Sequence, residues 1–126
     1  MKRISAILVL ALIIVAVCSC GNIYIFHVEK NLNSLMGDAN TYIKQKDYEN
    51  AAKAAEKAEK YFVENEKAVS VFCDHELVEN LGVALSRLSP LSKEETEYEF
   101  ISELNSSFIM LKHLVNDQRP AINNIL

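Results

Sequence analysis

Residues 4–26 read ISAILVLALIIVAVCSCGNIYIF and carry no charge. Ser5, Ser19, Gly21 and Asn22 are the polar interruptions in a run of 23 residues. About 20 residues suffice for a helix to cross the hydrocarbon core of a bilayer. Lys2 and Arg3 precede the run. Basic residues before a span favour a cytoplasmic N-terminus and an outward C-terminal domain. The expected organisation is a membrane anchor at 1–26 and an extracytoplasmic helical domain at 27–126, with Tyr24 and His27 near the outer interface.

Three fates of the apolar run compete. It is too long for a cleaved signal peptide, and no A-x-A-like site follows it. A lipoprotein signal would place the acyl chains on Cys20 in Val17-Cys18-Ser19-Cys20-Gly21. Ile23-Tyr24-Ile25-Phe26, however, continues the apolar run where a polar tether is expected. A retained single span is the preferred reading, and an envelope lipoprotein lipidated at Cys20 is its rival.

Beyond residue 26 the composition is that of an ordinary soluble domain. It holds 11 Lys/Arg against 17 Asp/Glu, a net charge of −6. Phosphate recognition needs clustered basic residues, so nucleic acid is not an expected partner. Three cysteines, two of them inside the apolar run, supply no disulfide framework. About 100 residues must therefore hold together by packing alone.

Helical spacing dominates this part, with three glycines and two prolines in the whole chain. A first helix continuing from the span is expected over 28–45, with Leu32, Leu35, Met36, Ala39, Tyr42 and Ile43 inward. Lys46-Asp47 makes the turn. A second helix over 48–72 turns Tyr48, Ala51, Ala52, Ala55, Ala58, Phe62, Val69 and Phe72 inward, and its Glu49/Lys53, Glu56/Lys60 and Lys60/Glu64 spacings suit a solvated face. A third over 75–88 starts on Asp74 as N-cap, buries Leu77, Leu81, Ala84, Leu85 and Leu88, and ends before Pro90. Ser92-Lys93-Glu94-Glu95 fits a capping box opening a fourth helix. That helix would bury Tyr98, Ile101, Leu104, Phe108, Leu111 and Val115, reach about Asn116, and stop before Pro120. The apolar end 121–126 would pack back.

The class is thus all-α: an N-terminal transmembrane helix, then a four-helix, two-hairpin bundle. Tyr42, Asp47-Tyr48, Ala51 and Ala58 resemble the turn of a tetratricopeptide repeat, so local tetratricopeptide-like packing is expected. A solenoid would need further repeats.

Catalytic residues do not emerge. There is no glycine-rich phosphate loop, no serine in a nucleophile context, and no basic neighbour in the sequence to activate Cys73. Cys73-Asp74-His75-Glu76 places four potential ligands in a row, but zinc sites use spacings that bring ligands to one face. A helix cap explains Asp74 and Glu76 more simply. If the hairpins pack antiparallel, His113 could approach this turn, and His75, Glu76 and His113 are the weak metal candidates. No cofactor is implied.

Taken in order, the basic start, the apolar span, the Asp-Tyr turn, Cys73-Asp74-His75-Glu76-Leu77, Leu111-Lys112-His113-Leu114 and Asn124-Ile125-Leu126 resemble the bacterial proteins grouped as domain of unknown function 4363. Members of that family tend to carry a tryptophan in the second helix, where this chain has Tyr61 and Phe62 and no tryptophan anywhere. The resemblance implies a bacterial, membrane-anchored helical protein and supplies no activity. The expected function is a non-enzymatic interaction or scaffold module at the outer face of the membrane, with the membrane and one or more proteins as partners. The alternative is a small metal- or ligand-binding module using His75, Glu76 and His113.

Overall fold

In the computed structural model the backbone is described for residues 1–125 and the side chains for residues 1–116. Four α-helices follow one another: α1 (Lys2–Lys44), α2 (Tyr48–Phe72), α3 (His75–Leu91) and α4 (Glu97–Ile125), with a 3-10 turn at Glu94–Thr96 leading into the last. No strand occurs among the described residues.

The first helix runs unbroken from the apolar segment into the domain, as its sequence suggests. Its two parts have opposite surroundings. Ile7, Leu8, Leu10, Leu12, Ile13 and Val17 are among the apolar side chains that stand exposed, whereas Gly21, Ile25, Val28, Leu32, Met36, Ala39 and Ile43 are buried. Among the described residues α1 is the one helix long and apolar enough to cross a membrane, and only 6% of its most apolar stretch is buried within the protein. The buried set advances in steps of three and four, the repeat of long helices packed side by side.

At its end α1 closes in a Schellman motif. The Asp47 N–H donates to Tyr42 O at 3.0 Å and the Lys46 N–H to Ile43 O at 3.1 Å. Lys46 holds the left-handed position at φ 63°, where glycine is usual. Its ammonium reaches across to the start of α4 and donates to both carboxylate oxygens of Glu97, at 2.6 and 2.7 Å. Hydrogen bonding to that carboxylate holds the Lys46 ammonium above the ordinary lysine pKa. Asp47 then caps α2 by accepting from the Asn50 N–H.

Pairs of contacts fix the directions. Tyr24–Asn65 and Asn31–Tyr61 join α1 to α2, Gly82–Phe62 and Ser89–Glu56 join α3 to α2, and Cys73–Leu114, just ahead of α3, and Arg87–Glu103 join the α3 part of the chain to α4. The residue numbers fall on one helix as they rise on its neighbour, so consecutive helices are antiparallel. Helix α1 also packs on α4. The core lies between the helices, around Phe62, Phe100, Leu32, Met36, Leu81 and Leu85, all less than 2% exposed. Alanines 51, 54, 55 and 58 are buried on α2, which lets the backbones approach closely.

Helix α2 keeps its expected bounds, and Asp74 caps α3 by accepting from the Glu76 N–H at 2.9 Å. Four local expectations are corrected. Pro90 does not end α3, which runs to Leu91. In the last turn a proline removes one ladder bond and leaves nothing downstream to disrupt. Ser92 is not the N-cap of α4. It closes α3, and its buried hydroxyl donates to Tyr48 O at 2.7 Å. Lys93 is extended, so the capping box cannot form, and α4 begins at Glu97. Pro120 does not stop α4 either, because a proline inside a helix costs a hydrogen bond and a bend rather than forbidding the turn. Finally, Tyr98 is 86% exposed and Phe100 is buried in its place. The buried face of α4 is Phe100, Leu104, Ser107, Leu111 and Leu114. Ser107 can occupy the core because its hydroxyl donates to Glu103 O at 2.8 Å. The expected packing of 121–126 lies outside the described side chains.

Candidate functional site

Ala51, Ala58, Asn65 and Phe72 follow one another at seven-residue intervals along α2. Asn65 is thus a polar residue on the face that packs against α1. It accepts a hydrogen bond from the Tyr24 hydroxyl at 2.6 Å and donates its amide to Tyr61 O at 2.8 Å. A turn away, Asn31 donates to the Tyr61 hydroxyl at 3.0 Å and lies 3.1 Å from His27 Nε2. Two amides and two phenols therefore join α1 to α2, with the His27 imidazole beside them on α1, where the exposed apolar part of α1 meets the core.

The same region contains a close helix approach. A Cβ on Gly21 would lie 2.6 Å from Phe72 Cε1 and 2.7 Å from its Cδ1. Glycine lets the ring of α2 sit directly on the backbone of α1. Around this contact Cys20, Ile23, Tyr24 and His27 line a shallow depression. Cys18 and Cys20 are exposed free thiols, two residues apart on one helix and so on different faces. A second depression, between α1 and α2 nearer their turn, is lined by Leu35, Asp38, Tyr42, Asn50, Lys53, Ala54 and Lys57.

The residues singled out by sequence are placed differently. His75 and Glu76 are exposed in the first turn of α3, and His113 is exposed on α4. The start of α3 does meet this part of α4, since the Cys73 thiol donates to Leu114 O at 3.7 Å. Among the described residues no three His, Cys, Asp or Glu side chains are grouped to hold a metal ion. The tyrosine–asparagine cluster was overlooked because each member is ordinary in its local context. Only the seven-residue series on α2 marks Asn65 as facing inward.

A family model described as "Domain of unknown function (DUF4363)" matches residues 20–125. The chain belongs to the DUF4363 family. The DUF4363 match begins one residue before Gly21, the first buried residue of α1, and leaves out most of its exposed apolar stretch. The family resemblance seen in the sequence is thereby borne out over residues 20–125. No curated protein and no solved structure matches this DUF4363 chain.

Proposed function

We propose that this DUF4363 protein is a non-enzymatic interaction or scaffold module held at the outer face of a bacterial membrane by the N-terminal part of α1. One observation carries the reading. A single helix is stripped of protein contacts over its most apolar stretch and forms one wall of the core over the rest. Contiguous apolar surface of that size is stable only against another apolar medium, and an uncharged helix of this length matches a bilayer. The basic pair Lys2-Arg3 supports an inner N-terminus. Anchor and domain share α1, and residues 21–26 serve both. The contact of α1 with α4 favours a closed two-hairpin bundle over an open tetratricopeptide-like superhelix.

The test uses the full chain in native membranes. After alkaline carbonate washing the protein should stay in the pellet, its intact mass should still include Met1, and cross-linking should recover the same protein partner from independent preparations. Release by carbonate overturns the anchor. A mass beginning at Cys20 replaces the span with a lipid modification. Failure to recover any reproducible partner removes the scaffold role.

A further inference from the structure

The inference concerns where the helical domain sits, and it rests on the anchored reading above. With Ile4 at the inner edge of the hydrocarbon, Gly21 lies about 26 Å along the helix axis at a rise of ~1.5 Å per residue. The hydrocarbon core is about 30 Å thick. Any tilt brings Gly21 deeper still. Yet Gly21 is already in the domain, pressed against Phe72 at the last residue of α2. No spacer separates the membrane-spanning part from the packed core.

The end of α2 must then lie level with the outer edge of the hydrocarbon. Three large apolar side chains stand exposed at that level: Val71 is 75% exposed, Ile23 69% and Phe26 60%. Beside them the Tyr24 hydroxyl and His27 offer the amphipathic rings that favour the headgroup layer. Lys67, one turn before Val71, is exposed and long enough to reach the phosphates. Asp74, His75 and Glu76 are exposed at the start of α3, and these polar side chains limit how deep the end can go.

From this we infer that the α1–α2 end of the domain is a membrane-seating surface, in which Ile23, Phe26 and Val71 enter the boundary between lipid headgroups and acyl chains. The occupant of this apolar face is the same bilayer that holds α1. The domain rests on the lipid rather than standing off from it.

The absence of tryptophan makes the test direct, because each introduced tryptophan is the single indole in the chain. The full-length variants Leu10→Trp, Ile23→Trp, Val71→Trp and Tyr98→Trp are reconstituted in vesicles whose lipids carry bromine either near the headgroup or near the end of the acyl chain. All four positions are exposed, so folding should survive, and circular dichroism checks this. Tryptophan at 71 and at 23 should be quenched most by the shallow bromine and show blue-shifted emission. Tryptophan at 98, at the opposite end, should remain unquenched with water-like emission. If position 71 behaves like position 98 while position 10 is quenched by the deep bromine, the seat is refuted and the anchor stands. If position 10 is unquenched, the anchored reading itself fails. Blue-shifted emission at 71 without quenching means that a protein surface covers Val71, and this also overturns the proposal.

Discussion

Gly21 and Gly37 lie on the same helix, and one substitution made at each isolates the close contact where the exposed apolar part of α1 meets the core. Replacing a helix-interior glycine by alanine is worth about 1 kcal/mol in backbone entropy and propensity. At Gly37 a Cβ would meet nothing within 4 Å, so Gly37→Ala should stabilise by about that amount. At Gly21 the same gain is opposed by the Phe72 ring, whose two nearest carbons would lie 2.6 and 2.7 Å from the new methyl. Optimal carbon–carbon separation is about 3.5–4.0 Å, so two atoms overlap by about 1 Å. Overpacking of this kind costs about 1–3 kcal/mol. Gly21→Ala should therefore be neutral or destabilising by up to about 2 kcal/mol, separated from Gly37→Ala by the overpacking cost itself. In a folded unit of roughly 100 residues each kcal/mol moves the unfolding midpoint by about 4–8 °C. The assay is thermal unfolding of the full chain in detergent, followed by circular dichroism. Phe72→Leu removes the ring edge, so Gly21→Ala made in that background should recover its stabilising sign, and the double-mutant cycle measures the contact. Equal stabilisation by Gly21→Ala and Gly37→Ala, or no change of sign on Phe72→Leu, would refute the close packing of α1 on α2.

Three further outcomes follow from the same geometry. Phe100→Ala should cost about 3–5 kcal/mol and Tyr98→Ala no more than about 0.5 kcal/mol in urea unfolding; the reverse order would return the face of α4 to the orientation its sequence suggested. Asp74→Ala should lose about 1 kcal/mol of cap energy, with Asp74→Asn retaining most of it, and equal losses for both would assign the effect to charge instead. The third concerns Lys46, whose pKa is raised in the folded state by its hydrogen bond to Glu97. The stability this pair contributes is therefore present below the ordinary lysine pKa of about 10.4 and lost as pH rises through the elevated folded value. Wild type should exceed Glu97→Gln in stability near neutral pH, and the gap should close in strongly alkaline buffer. A gap that stays constant across that window means the ion pair is not its source.

Much of the fold was legible because it was written in local chemistry. Lys46-Asp47 marks the first turn, Asp74 caps the helix it precedes, and the alanines of α2 mark its packed face. The errors arose where a distant partner overruled a local rule. Ser92 opens a sound capping box in sequence, but its hydroxyl is claimed by Tyr48 O, 44 positions away. Pro90 and Pro120 read as stops, yet proline bends or frays a helix at a cost that the rest of the helix can bear. Tyr98 read as core because it extends the helical spacing of Ile101, Leu104, Phe108, Leu111 and Val115, whereas Phe100 is buried in its place and Ser107 goes inside, its hydroxyl donating to Glu103 O. The candidate site was less legible than the fold. His75, Glu76 and His113 attract notice as residue types, while Tyr24, Asn31, Tyr61 and Asn65 acquire meaning only when α1 lies against α2.

That last cluster bears on which of several alignments the first hairpin adopts. An apolar seam repeating every seven residues is nearly indifferent to a slip of one repeat. Ile25, Val28, Leu32 and Met36 would find comparable neighbours one repeat along. The Tyr24–Asn65 and Asn31–Tyr61 pairs exist in one alignment alone, and any slip would break both hydrogen bonds across the seam, each worth about 0.5–1.5 kcal/mol. The apolar residues decide that α1 and α2 associate; these two hydrogen bonds decide at what height.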